Sequence, residues 1–189
     1  MAIDVAIAEA YSATGSSWRD GPAIIYDRLA TELVAHSPVS LMEKAVVDIG
    51  AGTGAATYAA LAAGARSVVA VDAAAGMLAV DADRRPPAIV ADASNLPFGP
   101  ASFDVALAAF SFNHLSDPAT GFVEAARIVR AGGTVMASSY AADDQHPVKG
   151  AVEHVLRRRG WQPEAWHTEM YRDRAALLLP IAGDRWGRL

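Results

Sequence analysis

Five short runs constrain this chain more than any other feature. KAVVDIG (44–50), SVVAVD (67–72), PAIVAD (87–92), FDVALAAFS (103–111) and GTVMASSY (133–140) are mostly apolar without alternation. A strand with one wet face alternates apolar and polar residues, so continuous runs predict strands covered on both faces, as in a parallel sheet. Residues 53–63 are alanine-rich and end near Gly64. Residues 118–130 follow Asp117, a good N-cap with Pro118 beside it, and end before Gly132 and Gly133. Strand–helix alternation predicts a doubly wound, Rossmann-like α/β sheet. A helix is expected over 22–35, where Ile25, Leu29 and Leu33 recur at four-residue spacing, and another through Val148, Val152, Val155 and Leu156. The tail from Trp161 is weaker, with one short helical run before Pro180 and Gly183.

The 189 residues suit one domain. Within it, residues 1–40 read as a lid with helices, 44–140 as the ligand-binding core and 141–189 as a helical C-terminal segment. No run of about 20 apolar residues lacks a charge or a breaker, so no membrane span is expected. The first residues carry Asp4 and Glu9 and no basic group, unlike a secretory signal. The chain has no cysteine, which excludes disulfides and thiolate chemistry and fits a cytoplasmic protein. A net charge of −5 makes nucleic acid a poor partner, and Arg157–Arg159 reads as a solvated helix face. His36, His146, His154 and His167 lack metal-ligand spacing, and Asp143, Asp144 and His146 read as a polar loop, so no metal is expected.

The first strand runs into DIGAGTGA, with Gly50, Gly52 and Gly54 at alternate positions. Glycines after a strand let a ligand approach the backbone without meeting a Cβ. The loop also fits the dinucleotide pattern, and Asp72 lies 22 residues beyond Gly50, where a ribose-binding acid is expected. The loop by itself therefore leaves a nicotinamide cofactor and S-adenosylmethionine both open. Asp48, two residues before the first glycine, would repel a pyrophosphate and favour an ammonium or sulfonium. Asp48, Asp72 and Asp92 all end strands, and parallel strands bring those ends to one edge, where open α/β sheets bind ligands. Three acids there suit a cationic ligand with a ribose diol and an adenine amine.

Taken together, VVDIGAGTG, VVAVDAAAGML, VADASNLPF, FDVALAAFSFNHL and RIVRAGGTV resemble the class I S-adenosylmethionine-dependent methyltransferases, on the small-molecule branch related to quinone biosynthesis. The resemblance covers roughly residues 6–140. It implies that Asp48, Gly50, Ala51, Gly52 and Gly54 carry the methionine part of S-adenosylmethionine, and that Asp72, with Ala73 beside it, takes the ribose hydroxyls. It implies that Asp92 and Ala93 flank the adenine, and that the Phe110 and Ser111 carbonyls face the methionine end. Met77 matches an apolar adenine contact and also reads as helix core. Tyr11 is expected to touch the cofactor from a lid, and Trp18 to line the acceptor pocket or to pin a helix on the sheet.

The expected reaction is methyl transfer to a small organic acceptor, leaving S-adenosylhomocysteine. Such a displacement needs alignment in a dry site, and a base only where the acceptor loses a proton. His114 is the candidate base, or else a loop residue, and Asn113 could orient the acceptor. FSFN (110–113) stands where methyltransferases of nucleic-acid bases carry NPPY or DPPY. The family sheet implied by the resemblance has seven strands in order 3-2-1-4-5-7-6. Here five are legible, in order 3-2-1-4-5, and the last two are expected to be missing. The fifth strand would then be an open edge, inviting a homodimer or a partner chain. Two other readings stay open: a cofactor-binding protein without methyl transfer, and a nicotinamide oxidoreductase.

Overall fold

A computed structural model describes residues 5–140 and 147–162. The expectations on Asp143, Asp144, His146, His167 and residues 163–189, and with them the question of two further strands, lie outside the described residues.

The elements run α1 (Val5–Asp20), α2 (Ala23–Ala35), β1 (Ala45–Ile49), α3 (Ala55–Ala62), β2 (Ser67–Asp72), α4 (Ala75–Ala79), β3 (Ala88–Val90), β4 (Phe103–Ala109), α5 (Pro118–Ile128), β5 (Val129–Ser138) and α6 (Pro147–Arg157). The five strands form one all-parallel sheet in the expected order β3-β2-β1-β4-β5. Side chains alternate between its two faces. Val47, Ile49, Val71, Ala106 and Ala108 enter one core with Ala125 and Ile128 of α5. Val46, Val68, Val105 and Leu107 enter the other with Ala30, Val34, Ala56 and Ala60 of α2 and α3. Both faces are apolar because both are covered, which accounts for the unbroken runs. Each large aliphatic buried this way stabilises the fold by about 1.5–3 kcal/mol.

Two boundaries differ from expectation. The helix expected to reach residue 130 ends at Ile128, and the strand begins at Val129 rather than Gly133. Phe103 pairs with Val129 but Val105 with Thr134, so β5 bulges, spending five residues where β4 spends two. Asp104 holds this start of β5: its carboxylate accepts from the Ala45 N–H at 2.7 Å and pairs with Arg130. The second difference is α1, a 16-residue helix where no specific helix is legible. It rests on α4 through two glycines. A Cβ at Gly76 would stand 2.1 Å from the Ser12 carbonyl oxygen, and one at Gly15 would stand 2.6 Å from the Gly76 carbonyl oxygen. Any side chain there would force the helices apart.

Candidate cofactor site

The carboxyl ends of β1 to β4 meet at one edge and, with α1 above them, enclose a cavity of about 480 Å³. Asp48, the penultimate residue of β1, is 1% exposed. Its Oδ2 accepts from Thr57 Oγ1 of α3 at 2.6 Å, while Oδ1 is buried and has no hydrogen-bond partner among the described residues. Burial pushes the carboxyl from an ordinary 3.8 up to about 6, against the opposing pull of the Thr57 hydrogen bonds. Asp72 ends β2 and ties the loops together. Its Oδ2 accepts from the Gly52 N–H and its Oδ1 from the Ala74 N–H, both at 2.7 Å. Burial raises its carboxyl too, and these backbone bonds oppose the rise. Each Asp72 oxygen keeps a second lone pair for a ligand.

The glycine loop lies across β2, its Gly50 and Ala51 N–H groups donating to the Val71 carbonyl at 2.8 and 2.9 Å. Gly50 has φ +72°, and a Cβ there would stand 2.2 Å from the Ser111 Cβ. Ser111 in turn donates to the Ile49 carbonyl at 2.7 Å, locking β4 to the loop. Phe110, at the end of β4, holds φ +53° without being glycine. Such backbone costs on the order of 1–3 kcal/mol and gathers at functional sites.

The lid helix closes the cavity with aromatic rings. The Tyr11 hydroxyl lies 3.3 Å from His114 Nε2, and the two rings meet at 5.3 Å. Tyr11 also packs on Trp18 at 5.5 Å, Trp18 on Tyr26 at 5.2 Å, and Tyr26 on Phe110 at 5.5 Å. The Tyr26 and Tyr140 hydroxyls are hydrogen-bonded. Burial, followed by Tyr26 and Asp72, raises the Tyr11 phenol above its usual range, so it stays protonated near neutrality.

The fold brings most of the sequence candidates to this cavity. Asp48, Gly50, Ala51, Gly52, Asp72, Ala73, Met77, Asp92, Ala93, Phe110, Tyr11, Trp18 and His114 all line it. Asp92 stands two residues past β3, its Oδ1 accepting from the Ser94 N–H and hydroxyl. Two candidates do not line the cavity. Gly54 is the N-cap of α3, and Asn113 sits buried in a 3-10 turn with Oδ1 lacking a partner among the described residues. Sequence reasoning missed Arg85, whose Nη1 donates to the Gly52 carbonyl at 3.3 Å from behind the loop. Only the basic pair Arg84–Arg85 before Pro86 marked it. Among the described residues the lining holds four aspartates, Asp48, Asp72, Asp92 and Asp117, and no lysine or arginine. Nor do those residues hold a cluster able to bind a metal ion, or a helix long and apolar enough to cross a membrane.

Parallel strands in this order, with a glycine loop after β1 and an acid ending β2, form the Rossmann-like methyltransferase fold, the family model described as "Methyltransferase domain" matches residues 47–137, and in both respects the chain resembles the class I S-adenosylmethionine-dependent methyltransferases. Within that class the chain resembles the quinone methyltransferases. It is 32% identical over 151 residues to the demethylmenaquinone methyltransferase of Mycolicibacterium gilvum, a match covering 80% of this chain and 62% of that protein. The chain thus spans less than two thirds of that relative. A chain in the complex of the Haloferax volcanii Trm112 methyltransferase activator with a methyltransferase superposes with TM-score 0.63 at 26% identity, over 69% of this chain and 60% of that one. An S-adenosylmethionine-dependent methyltransferase structure from Methanococcus maripaludis shares the fold with TM-score 0.62 at 20% identity, over 98% of this chain and 91% of that one.

Proposed function

We propose that this chain binds S-adenosylmethionine in the cavity and transfers its methyl group to a small organic acceptor held beneath α1. The observation that carries the reading is electrostatic. Among the described residues the lining has four carboxylates and no lysine or arginine, and one carboxylate, Asp48, presents a buried oxygen with no partner among those residues. That arrangement disfavours a dinucleotide pyrophosphate and suits an ammonium and a sulfonium.

The residues fit the group. Asp48 Oδ1 supplies an unused acceptor, Asp72 keeps one lone pair on each oxygen for a diol, and Gly50 leaves the loop bare. Met77 offers an apolar wall of the same cavity for a flat ring. When bound, the cofactor supplies a methyl carbon activated by sulfonium. The rings of Tyr11, Trp18, Tyr26 and Phe110 exclude water and suit a flat acceptor. The demethylmenaquinone methyltransferases among the relatives favour an aromatic one. Where the acceptor must lose a proton, His114 is the candidate base, and the Tyr11 hydroxyl hydrogen-bonded to its Nε2 orients the ring.

The test is to incubate the protein with S-adenosylmethionine and a panel of phenols, reduced quinones and amines, and to follow S-adenosylhomocysteine by mass spectrometry. Acceptor-dependent product supports the reading. A protein that binds the cofactor but methylates nothing across the panel would leave a cofactor-binding protein without methyl transfer.

A further inference from the structure

Arg85 lies between α4 and β3, outside the cavity wall, and the chemistry above does not use it. Its Nη1 donates to the Gly52 carbonyl, while Nε and Nη2 are buried with no hydrogen-bond partner among the described residues. Leaving buried donors of a charged group unpaired is costly, so an opposing attraction has to hold the side chain there. Burial lowers the Arg85 pKa, and the carboxylates of Asp48 of β1, Asp72 of β2 and Asp81 beyond α4 oppose that, favouring the charged guanidinium. Asp81 is also paired with Arg19 of α1. The other two acids, Asp48 and Asp72, stand in the cavity wall. Gly52 is meanwhile held twice, its N–H by Asp72 and its carbonyl by Arg85, with φ +54° between them.

We propose that Arg85 is a positioning residue for the cofactor: it clamps the Gly52 carbonyl from behind the loop, and its charge offsets the Asp48–Asp72 carboxylate pair. It acts on a ligand that it does not touch. The inference rests on the S-adenosylmethionine reading. Without the guanidinium, two buried carboxylates stand close together with no cation behind them. The more buried one, Asp48, then takes up a proton at higher pH and stops attracting an ammonium. The other groups facing the pair are Tyr11 from α1 and the Thr57 hydroxyl, while Tyr58 from α3 faces Arg85 itself, and all are common to the variants below.

The experiment is calorimetric titration of S-adenosylhomocysteine into wild type, R85Q and R85K from pH 5.5 to 8.5, with the thermal midpoint of each unliganded protein. R85Q is expected to bind at least tenfold more weakly at pH 7, and its affinity should start to fall at higher pH than in wild type. R85K keeps the charge and should restore the wild-type pH profile while binding a few-fold more weakly. A merely structural role would not move the profile. R85Q within twofold of wild type throughout, or weaker by one constant factor at every pH, overturns the proposal. If R85Q does not fold, R85M decides by the same readout: an affinity that starts to fall at higher pH than in wild type supports the proposal, and an unmoved profile overturns it. Wild type that takes no ligand at all defeats the cofactor reading and this inference with it, whereas wild-type binding beside an unaltered R85Q defeats this inference alone.

Discussion

Thr57 Oγ1 of α3 donates to Asp48 Oδ2 of β1 at 2.6 Å, inside a core where both residues are 1% exposed. The bond fixes the carboxylate so that its other oxygen, Oδ1, is buried without a partner among the described residues. An acid raised to about 6 by burial is less stable in the folded than in the unfolded chain once ionised. Between about pH 4 and 6 the native state binds more protons than the unfolded state, so this residue's contribution falls as pH rises. Asp48→Asn should therefore stabilise the unliganded protein at pH 7.5 by about 1–2 kcal/mol while weakening cofactor binding at least tenfold. Urea denaturation at pH 7.5 and pH 5, where the gain should shrink, checks the sign. A destabilised Asn variant at pH 7.5 would contradict it.

Removing the donor has the opposite effect on the acid. Thr57→Val deletes a hydrogen bond to a buried carboxylate and should cost about 1.5–3 kcal/mol at pH 7.5. The cost should be smaller at pH 5, where the carboxyl is largely protonated in the native state. Parallel urea curves at the two pH values test this.

The lid depends on the glycine contact between α1 and α4. Gly76→Val places a side chain against the Ser12 carbonyl and should lift α1 while leaving the two sheet cores in place. Hydrogen exchange should rise over residues 5–20 and stay unchanged in β1 and β4, with cofactor affinity falling about fivefold or more. Equal loss of protection across the sheet would mean that α1 is part of the core rather than a lid on it.

The sheet was legible because both of its faces are apolar. The sites of Asp48, Asp72 and Asp92 followed from where parallel strands end. Residues 5–20 were not legible as a helix, because Ser12, Thr14, Gly15, Ser16 and Ser17 are weak helix formers and the helix is held by its contact with Gly76. The start of β5 was obscured because Ile128 and Val129 continue the apolar spacing of α5, and only Asp104, 26 residues before Arg130, marks where the strand begins. Asn113 reads as a polar loop residue facing an acceptor, but the 3-10 turn directs it inward. Arg85 acts on Gly52, 33 residues away, through a contact that no local pattern encodes.

Asp104 gives a direct test of that boundary. Asp104→Ala leaves the Ala45 N–H without its acceptor and Arg130 without its partner, and should cost about 2–4 kcal/mol. Protection should be lost first around residues 129–133, which exchange mass spectrometry would register. An unchanged urea midpoint would show that the start of β5 is held by something else.

The central claim is that Asp72, with Asp48, makes this cavity a site for S-adenosylmethionine. Calorimetric titration of S-adenosylhomocysteine and of NADH into wild type and Asp72→Ala tests it most directly. The account predicts saturable binding of S-adenosylhomocysteine to wild type, a loss of at least fiftyfold in Asp72→Ala, and no heat from NADH. Saturable binding of NADH, or no heat from S-adenosylhomocysteine at millimolar ligand, would contradict it.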